Sequence, residues 1–156
     1  MNITIIAVGK IREKYIKSGI EEFFKRVQPY SSVKIIEIEA ETVKSDDQIK
    51  KALNTEGEKI LNILSDSSYI IAMDIPGKKL SSEKFASKIQ NINAQGINQL
   101  VFIIGGAFGL DEKVKKKADF FLSLSEMTFP HQLARLFLLE QIYRAFKIIN
   151  NEPYHK

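Results

Sequence analysis

The chain has 156 residues, of which 44% are hydrophobic and 27% charged, which is ordinary for a soluble globular protein. It has no cysteine and only two histidines, which excludes disulfides, thiolate nucleophiles, cysteine-bound zinc and histidine-rich metal clusters. No apolar run is long enough to span a membrane, and the first residues lack the pattern of a cleaved leader. We therefore expect a cytoplasmic, metal-free protein.

Strand and helix patterns alternate in the first half of the chain. A β-branched run predicts a strand at residues 2–8, stopped by Gly9. Apolar residues at three- and four-residue spacing then predict a helix over about 12–27, which Pro29 ends. A second strand is predicted at 33–38. Asp46 is a candidate N-cap for a helix that continues to about Leu64.

The same alternation continues in the second half. Three further strands are predicted at 69–73, 100–104 and 120–124, the first of them followed by a turn over 74–79. Three further helices are predicted: one capped by Ser81 or Ser82 and ended at Gly96, one at about 111–117, and one opened by Pro130 and ending near Asn150. Strands separated by helices predict one α/β domain over residues 1–156, with a mostly parallel sheet and helices on both faces.

The net charge of +4 and the isoelectric point near 9.2 permit a polyanionic partner without requiring one. Many basic residues lie near the start of the chain, where Glu13, Glu21 and Glu22 interrupt them. They are Lys10, Arg12, Lys14, Lys17, Lys25 and Arg26. Two interpretations stay open, a solvated helix face and a surface that contacts phosphates.

Three loops follow predicted strands: residues 74–77, the glycine loop 105–109 and the polar loop 123–129. Open α/β sheets bind nucleotides at the carboxyl ends of their strands, and glycines let the backbone approach a ligand closely. The glycine loop is neither a dinucleotide fingerprint nor a P-loop, and by itself it is also compatible with a tight turn. Together the three loops predict a backbone-lined pocket for an adenosine-like ligand.

The last predicted helix is apolar over more than one face, including Phe137, Leu138 and Ile142. A helix of this kind is buried on several sides. Packing on the sheet and also on a second subunit would bury it, which predicts a homodimer, while a helix that crosses the centre of the sheet within a monomer is the alternative. His131 is a candidate cap at the start of this helix, and the terminal Tyr154, His155 and Lys156 have the composition of a frayed end.

Several segments resemble the RlmH family of SPOUT-class methyltransferases, and the similarity extends over the whole chain. These segments are Met73-Asp-Ile-Pro-Gly77, Ile104-Gly-Gly106, Leu124-Ser-Glu-Met-Thr-Phe-Pro-His131, Tyr143-Arg-Ala-Phe146 and Pro153-Tyr-His-Lys156. The resemblance implies transfer of a methyl group from S-adenosylmethionine to N3 of a pseudouridine in 23S ribosomal RNA. It also implies a C-terminal trefoil knot, which general topology rules would argue against, and a homodimer that acts on the ribosome.

Carried over residue by residue, the resemblance implies cofactor contacts from two strand ends and the polar loop. These residues are Met73, Gly105, Leu124, Ser125, Glu126, Met127, Thr128 and Phe129. It makes Arg144, Tyr154 and His155 the candidates for gripping the RNA or assisting the departure of the N3 proton. Methyl transfer from a sulfonium needs no metal and no protein nucleophile, which agrees with a chain that has no cysteine.

Two other classes of protein stay open. A non-catalytic RNA-binding protein with the same fold would not bind S-adenosylmethionine. A nucleotide-dependent oxidoreductase would need a glycine fingerprint after the first strand, where Ala7-Val-Gly-Lys10 supplies one glycine. The proton acceptor, if the reaction needs one, is not assigned by the sequence.

Overall fold

The computed structural model describes residues 1–155 and follows the predicted alternation of strands and helices. The strands are β1 (Asn2–Val8), β2 (Ser32–Ile38), β3 (Tyr69–Lys79), β4 (Gln99–Ile104) and β5 (Phe120–Ser123). The helices are α1 (Lys14–Val27), α2 (Ile49–Leu61), α3 (Ser82–Ala94), α4 (Glu112–Lys117) and α5 (His131–Ile149). Their number and type agree with the sequence prediction.

The five strands form one sheet in the order β2-β1-β4-β3-β5, and all of these neighbours are parallel. Successive residues of a strand point to opposite faces, so each strand contributes to two cores. Ile5 packs with residues of α1, α3 and α5, whereas Ile6 packs with Ile60 of α2 and Val114 of α4. Helices therefore cover both faces, as predicted.

The sequence prediction was wrong at three element boundaries. Residues 46–48 form a short 3₁₀ turn and α2 begins only at Ile49, so Asp46 lies inside that turn and caps nothing with its side chain. Helix α2 ends at Leu61 rather than Leu64. Strand β3 continues to Lys79, because Lys78 and Lys79 pair with Leu122 and Ser123 after an irregularity. The predicted turn is thus a bulge within the strand.

Other local predictions are confirmed. The Ser81 hydroxyl accepts a hydrogen bond from the backbone N–H of Lys84 and caps α3. Gly9 ends β1 with a φ of +89°, a conformation that glycine adopts without strain. Pro130 is the residue before α5, but no side-chain hydrogen bond caps this helix, so the capping role considered for His131 is wrong.

Helix α5 is buried mainly by its own chain. It packs between α1 and α3 over the sheet, and Leu138 and Ile142 are both 0% exposed. Its apolar circumference is therefore explained by three neighbours within one chain. Phe137 is different, since it is 39% exposed and its ring contacts only the edge of Phe129 among aromatic residues in the described part of the chain.

Candidate functional site

The three loops predicted to form a pocket surround one cleft of about 570 Å³. It lies at the carboxyl ends of β3, β4 and β5 and against the first turn of α5. Seven of the eight predicted cofactor residues line it, namely Met73, Gly105, Leu124, Ser125, Met127, Thr128 and Phe129. The Glu126 side chain does not line the cleft and forms an ion pair with Lys79.

Local hydrogen bonds shape the two longer loops. The Ser123 hydroxyl donates to the Ser125 carbonyl over 2.8 Å, and the Ser125 hydroxyl accepts from the Met127 N–H over 3.0 Å. In the glycine loop the Gly109 N–H donates to the Gly106 carbonyl, and Gly109 has a φ of +86°. A Cβ on Gly105 would lie 2.4 Å from the Gly109 carbonyl oxygen. The loop therefore closes on itself only because residue 105 has no side chain.

Among the described residues, two titratable side chains line the cleft, Asp74 and His131. The Asp74 carboxylate accepts from the Ile75 N–H over 2.9 Å, and its other oxygen is 3.7 Å from the Lys115 ammonium. Burial, and to a smaller extent the nearby Arg135 charge, lower the pKa of His131 below its ordinary value. His131 is therefore largely neutral at physiological pH.

The sequence prediction missed the role of Arg135, which is 1% exposed. Its guanidinium donates to a Glu37 oxygen over 3.0 Å and to the carbonyls of Val8 and Gly9 over 3.1 and 2.7 Å. We call these groups the Arg135 cluster. The Arg135 cluster ties the ends of β1 and β2 to the beginning of α5, which forms one wall of the cleft. The available signal was an arginine with two apolar residues on each side, in the segment Leu133-Ala-Arg-Leu-Phe137.

We expect Glu37→Gln to lower the free energy of unfolding by about 2 kcal/mol, measured by urea denaturation. The change leaves the buried Arg135 charge without its carboxylate, although Glu37 is partly exposed and solvent weakens the loss. Glu22→Gln is the matched control, because it removes an exposed carboxylate from Arg26 and should change little. Equal stability of the two variants would contradict a stabilising role for the Glu37–Arg135 pair.

None of the three predicted catalytic residues lines the cleft, and two of them, Arg144 and Tyr154, lie together. Tyr154 donates to Glu140 over 3.1 Å, and Arg144 is 2.6 Å from the same carboxylate and 4.7 Å from the centre of the Tyr154 ring. Burial and the Glu140 charge raise the pKa of Tyr154. Glu140 also borders a second cavity, of about 420 Å³, which shares Leu122, Ser123, Leu124 and Phe129 with the cleft.

The end of the chain is docked rather than frayed as far as residue 155. The His155 ring is 2.7 Å from the Glu83 carboxylate at the start of α3. Hydrogen bonds from the Glu83 backbone N–H, from Ser81 and from His155 lower the pKa of Glu83 to about 2. Lys156 lies outside the described residues.

The six basic residues near the start of the chain are exposed. Arg26 forms an ion pair with Glu22 one helical turn earlier and lies 5.4 Å from the centre of the Phe23 ring. This arrangement leaves both interpretations of the basic segment open. Within residues 1–155, no group of three or more His, Cys, Asp or Glu side chains could hold a metal ion. No helix in the same range is long and apolar enough to cross a membrane.

Comparisons with known proteins bear on the family and the fold. A family model described as "Predicted SPOUT methyltransferase" matches residues 1–155. The chain is 52% identical to ribosomal RNA large subunit methyltransferase H of Halothermothrix orenii and 53% identical to that of Carboxydothermus hydrogenoformans. It is 50% identical to the putative methyltransferase H of Methanococcus maripaludis. All three similarities cover 100% of both chains.

A solved structure shares the fold at lower identity. It is described as a probable methylase family protein from Haemophilus influenzae, with a TM-score of 0.57 and 15% identity. The similarity covers 99% of this chain and 70% of that one. At this identity the comparison bears on the fold alone. The full-length similarity to the curated proteins bears on the family: the chain belongs to the RlmH family of SPOUT methyltransferases.

Proposed function

We propose that this chain transfers a methyl group from S-adenosylmethionine to N3 of a pseudouridine in 23S ribosomal RNA. The observation that carries the proposal is the cleft, where seven of the residues expected to contact the cofactor lie together. Three full-length relatives at 50% identity or more are named as ribosomal RNA large subunit methyltransferases, one of them as putative. The proposed substrate is the large-subunit RNA within the ribosome.

The residues of the cleft fit the proposed cofactor. Its volume of about 570 Å³ lies within the usual range for small-molecule sites. Met73, Leu124 and Met127 supply apolar walls, and the loop backbones supply amide and carbonyl groups for an adenosine. Within residues 1–155 no lysine or arginine lines the cleft, so a cationic sulfonium would meet no like charge there.

The chemistry divides between the cofactor and the chain. S-adenosylmethionine supplies, when bound, a methyl group activated by a sulfonium. The loops would hold the methyl group in line with the acceptor nitrogen and exclude water. The alignment is the main contribution that such a displacement needs from a protein. Arg144, Tyr154 and His155 would grip the RNA or assist the loss of the N3 proton. The exposed basic residues near α1 would contact phosphates.

Calorimetric titration with S-adenosylmethionine and with NAD, side by side, tests the cofactor. We expect binding of the first and none of the second. Radiolabelled methyl incorporation into ribosomes that lack the modification then tests the reaction, with modified ribosomes and short unmodified oligonucleotides as poor substrates. Absence of cofactor binding together with RNA binding would favour a non-catalytic RNA-binding protein. Binding of NAD alone would favour an oxidoreductase.

Further properties of the family belong to the same proposal. We propose one methyltransferase domain over residues 1–156 with a C-terminal trefoil knot. In support, β3 pairs with β5 on both sides of its bulge, and a Cβ on Gly77 would lie within 2.9 Å of the Leu122 backbone. The bulge thus passes closely over the chain that leads into the polar loop. Because the proposed substrate is the ribosome, the proposed location is the cytoplasm.

We also propose a homodimer formed through α5, supported by the exposed Phe137 and Phe129. Phe137→Asp should raise the dimer dissociation constant roughly tenfold or more, because a charged group would replace an aromatic ring that the partner subunit covers in the proposed dimer. Light scattering over a concentration series measures the effect. Ile63→Asp is the control, because Ile63 is exposed to a similar extent, 37%, but lies away from α5. It follows α2, which covers the other face of the sheet. A wild-type monomer at micromolar concentration would contradict the proposal.

A further inference from the structure

The proposed methylation, on which this proposal rests, leaves one proton without an assigned acceptor. N3 of a pseudouridine carries a hydrogen, and methylation at N3 requires that this proton leave. A general base beside the methyl donor would lower the barrier if it carries a lone pair at neutral pH. The side chains that line the cleft limit which residue in this chain can do so.

Asp74 and His131 are the titratable side chains in the cleft lining. The Asp74 carboxylate accepts from the Ile75 N–H, and the Lys115 ammonium 3.7 Å away offsets its charge. A carboxylate is also an intrinsically weaker base than a neutral imidazole. The other polar side chains of the lining are the hydroxyls of serine and threonine, which are very weak bases at neutral pH. His131 therefore remains as the candidate in this part of the chain.

The position of His131 suits a proton acceptor. It lies at the first residue of α5, directly after the polar loop, and lines the cleft. Neither ring nitrogen of His131 forms a hydrogen bond with another of residues 1–155. Neither nitrogen is fully buried, so both are open to a ligand or to water. Gly9 gives the ring space, since a Cβ there would lie 3.2 Å from Nε2. The imidazole thus has a lone pair that is not used within the chain.

The charged groups around His131 keep the ring neutral. Arg135, on the same helix, is buried beside it and bonded to Glu37 of β2. Across the cleft Asp74 lies near Lys115, and Lys10 follows Gly9 on the exposed segment after β1. Burial first, and Arg135 second, lower the pKa of His131. Both effects favour the neutral ring, which is the form that can accept a proton.

We propose that His131 is the catalytic base, accepting the N3 proton during methyl transfer. N3 forms its bond to the methyl carbon as the carbon–sulfur bond breaks, and sulfur keeps that electron pair and becomes a neutral thioether. The N3 proton passes to the imidazole, which becomes an imidazolium and later releases the proton to water. Arg144, Tyr154 and His155 then serve to hold the acceptor RNA.

Single-turnover methylation of ribosomes at saturating S-adenosylmethionine, followed across pH, tests this assignment. The wild-type rate should fall as pH decreases through a pKa below the ordinary histidine value of about 6.5. His131→Gln should lower the rate at neutral pH about a hundredfold and abolish this acid limb. His155→Gln should lower the rate without removing the limb. Calorimetry and a urea midpoint for each variant show that cofactor binding and folding survive.

An NMR titration of the His131 ring in the wild-type protein bound to S-adenosylmethionine supplies a readout that does not depend on a variant. The pKa from that titration should match the acid limb. The assignment is overturned if the two pKa values differ, or if His131→Gln keeps the acid limb at a rate near wild type. An inactive wild-type protein would instead refute the proposed function itself.

Discussion

Deleting Tyr154, His155 and Lys156 should reduce methyl transfer to ribosomes by roughly a hundredfold or more, while affinity for S-adenosylmethionine stays unchanged. The deletion removes the Tyr154 ring from beside Glu140 and Arg144 and the His155 imidazole from beside Glu83, and it shortens the sequence by the cationic Lys156. The cofactor cleft is lined by other segments, so the two effects are separable. Radiolabelled methyl incorporation and calorimetry measure them on the same preparations.

One control variant, Tyr154→Phe, separates the contribution of the tyrosine hydroxyl from that of the rest of the tail. Tyr154→Phe keeps the ring beside Tyr143, 4.8 Å between ring centres, and removes only the hydroxyl that donates to Glu140. A small effect of this variant beside a large effect of the deletion would assign the loss to His155 and Lys156 or to the ring. Full activity of the truncated chain would make the tail dispensable and leave Arg144 and His131 as the remaining candidates.

The docked tail also bears on how the site is assembled. In this chain Tyr154 and His155 are held by α5 and α3, and they do not line the cleft of the same chain. Glu140, at the centre of the cluster, borders the second cavity, which shares the wall of residues 122–124 with the cleft. A tail that acts on the acceptor must therefore work from the far side of this wall, change its position, or serve a second copy of the chain.

Most of the fold could be predicted from the sequence because its signals are local. Residues 2–8 are rich in β-branched side chains and residues 100–104 are an uninterrupted apolar run, and each segment becomes an interior strand of the sheet. The glycine loop and the polar loop follow their strands directly, so a parallel sheet places them at the same edge. For this reason the location of the cleft was predictable even though its depth was not.

The parts that were missed depend on contacts between distant residues. Arg135 bonds to Gly9, 126 positions earlier, and no local pattern marks a helical arginine as buried. Strand β3 resumes at Lys78 because β5 offers a partner, which overrides the turn that Pro76 and Gly77 suggest. The apolar residues of α5 were expected to face both the sheet and a second subunit, and the neighbours α1 and α3 bury Leu138 and Ile142 within the chain. Only tertiary packing decides such cases.

Gly105→Val should abolish binding of S-adenosylmethionine in a protein that still folds. The expected mechanism differs from a simple block of the pocket, because a Cβ at residue 105 would meet the Gly109 carbonyl group at 2.4 and 2.6 Å. Backbone atoms cannot move aside as a side chain can, so the glycine loop itself must open. The carbonyl and amide groups that line the cleft would then lose their positions.

Gly106→Ala is the matched control for this prediction, one residue along the same loop. Its Cβ would meet the Val8 side chain at 3.1 Å, so this side chain must shift slightly, at a cost of about 1–3 kcal/mol, but no backbone atom stands in the way. We expect Gly106→Ala to bind S-adenosylmethionine within about tenfold of wild type, and Gly105→Val to show no binding by calorimetry. Circular dichroism and urea midpoints confirm that both variants fold. Unchanged affinity in a folded Gly105→Val protein would remove the glycine loop from the cofactor site, and equal losses in both variants would refute the clash with Gly109 as the cause.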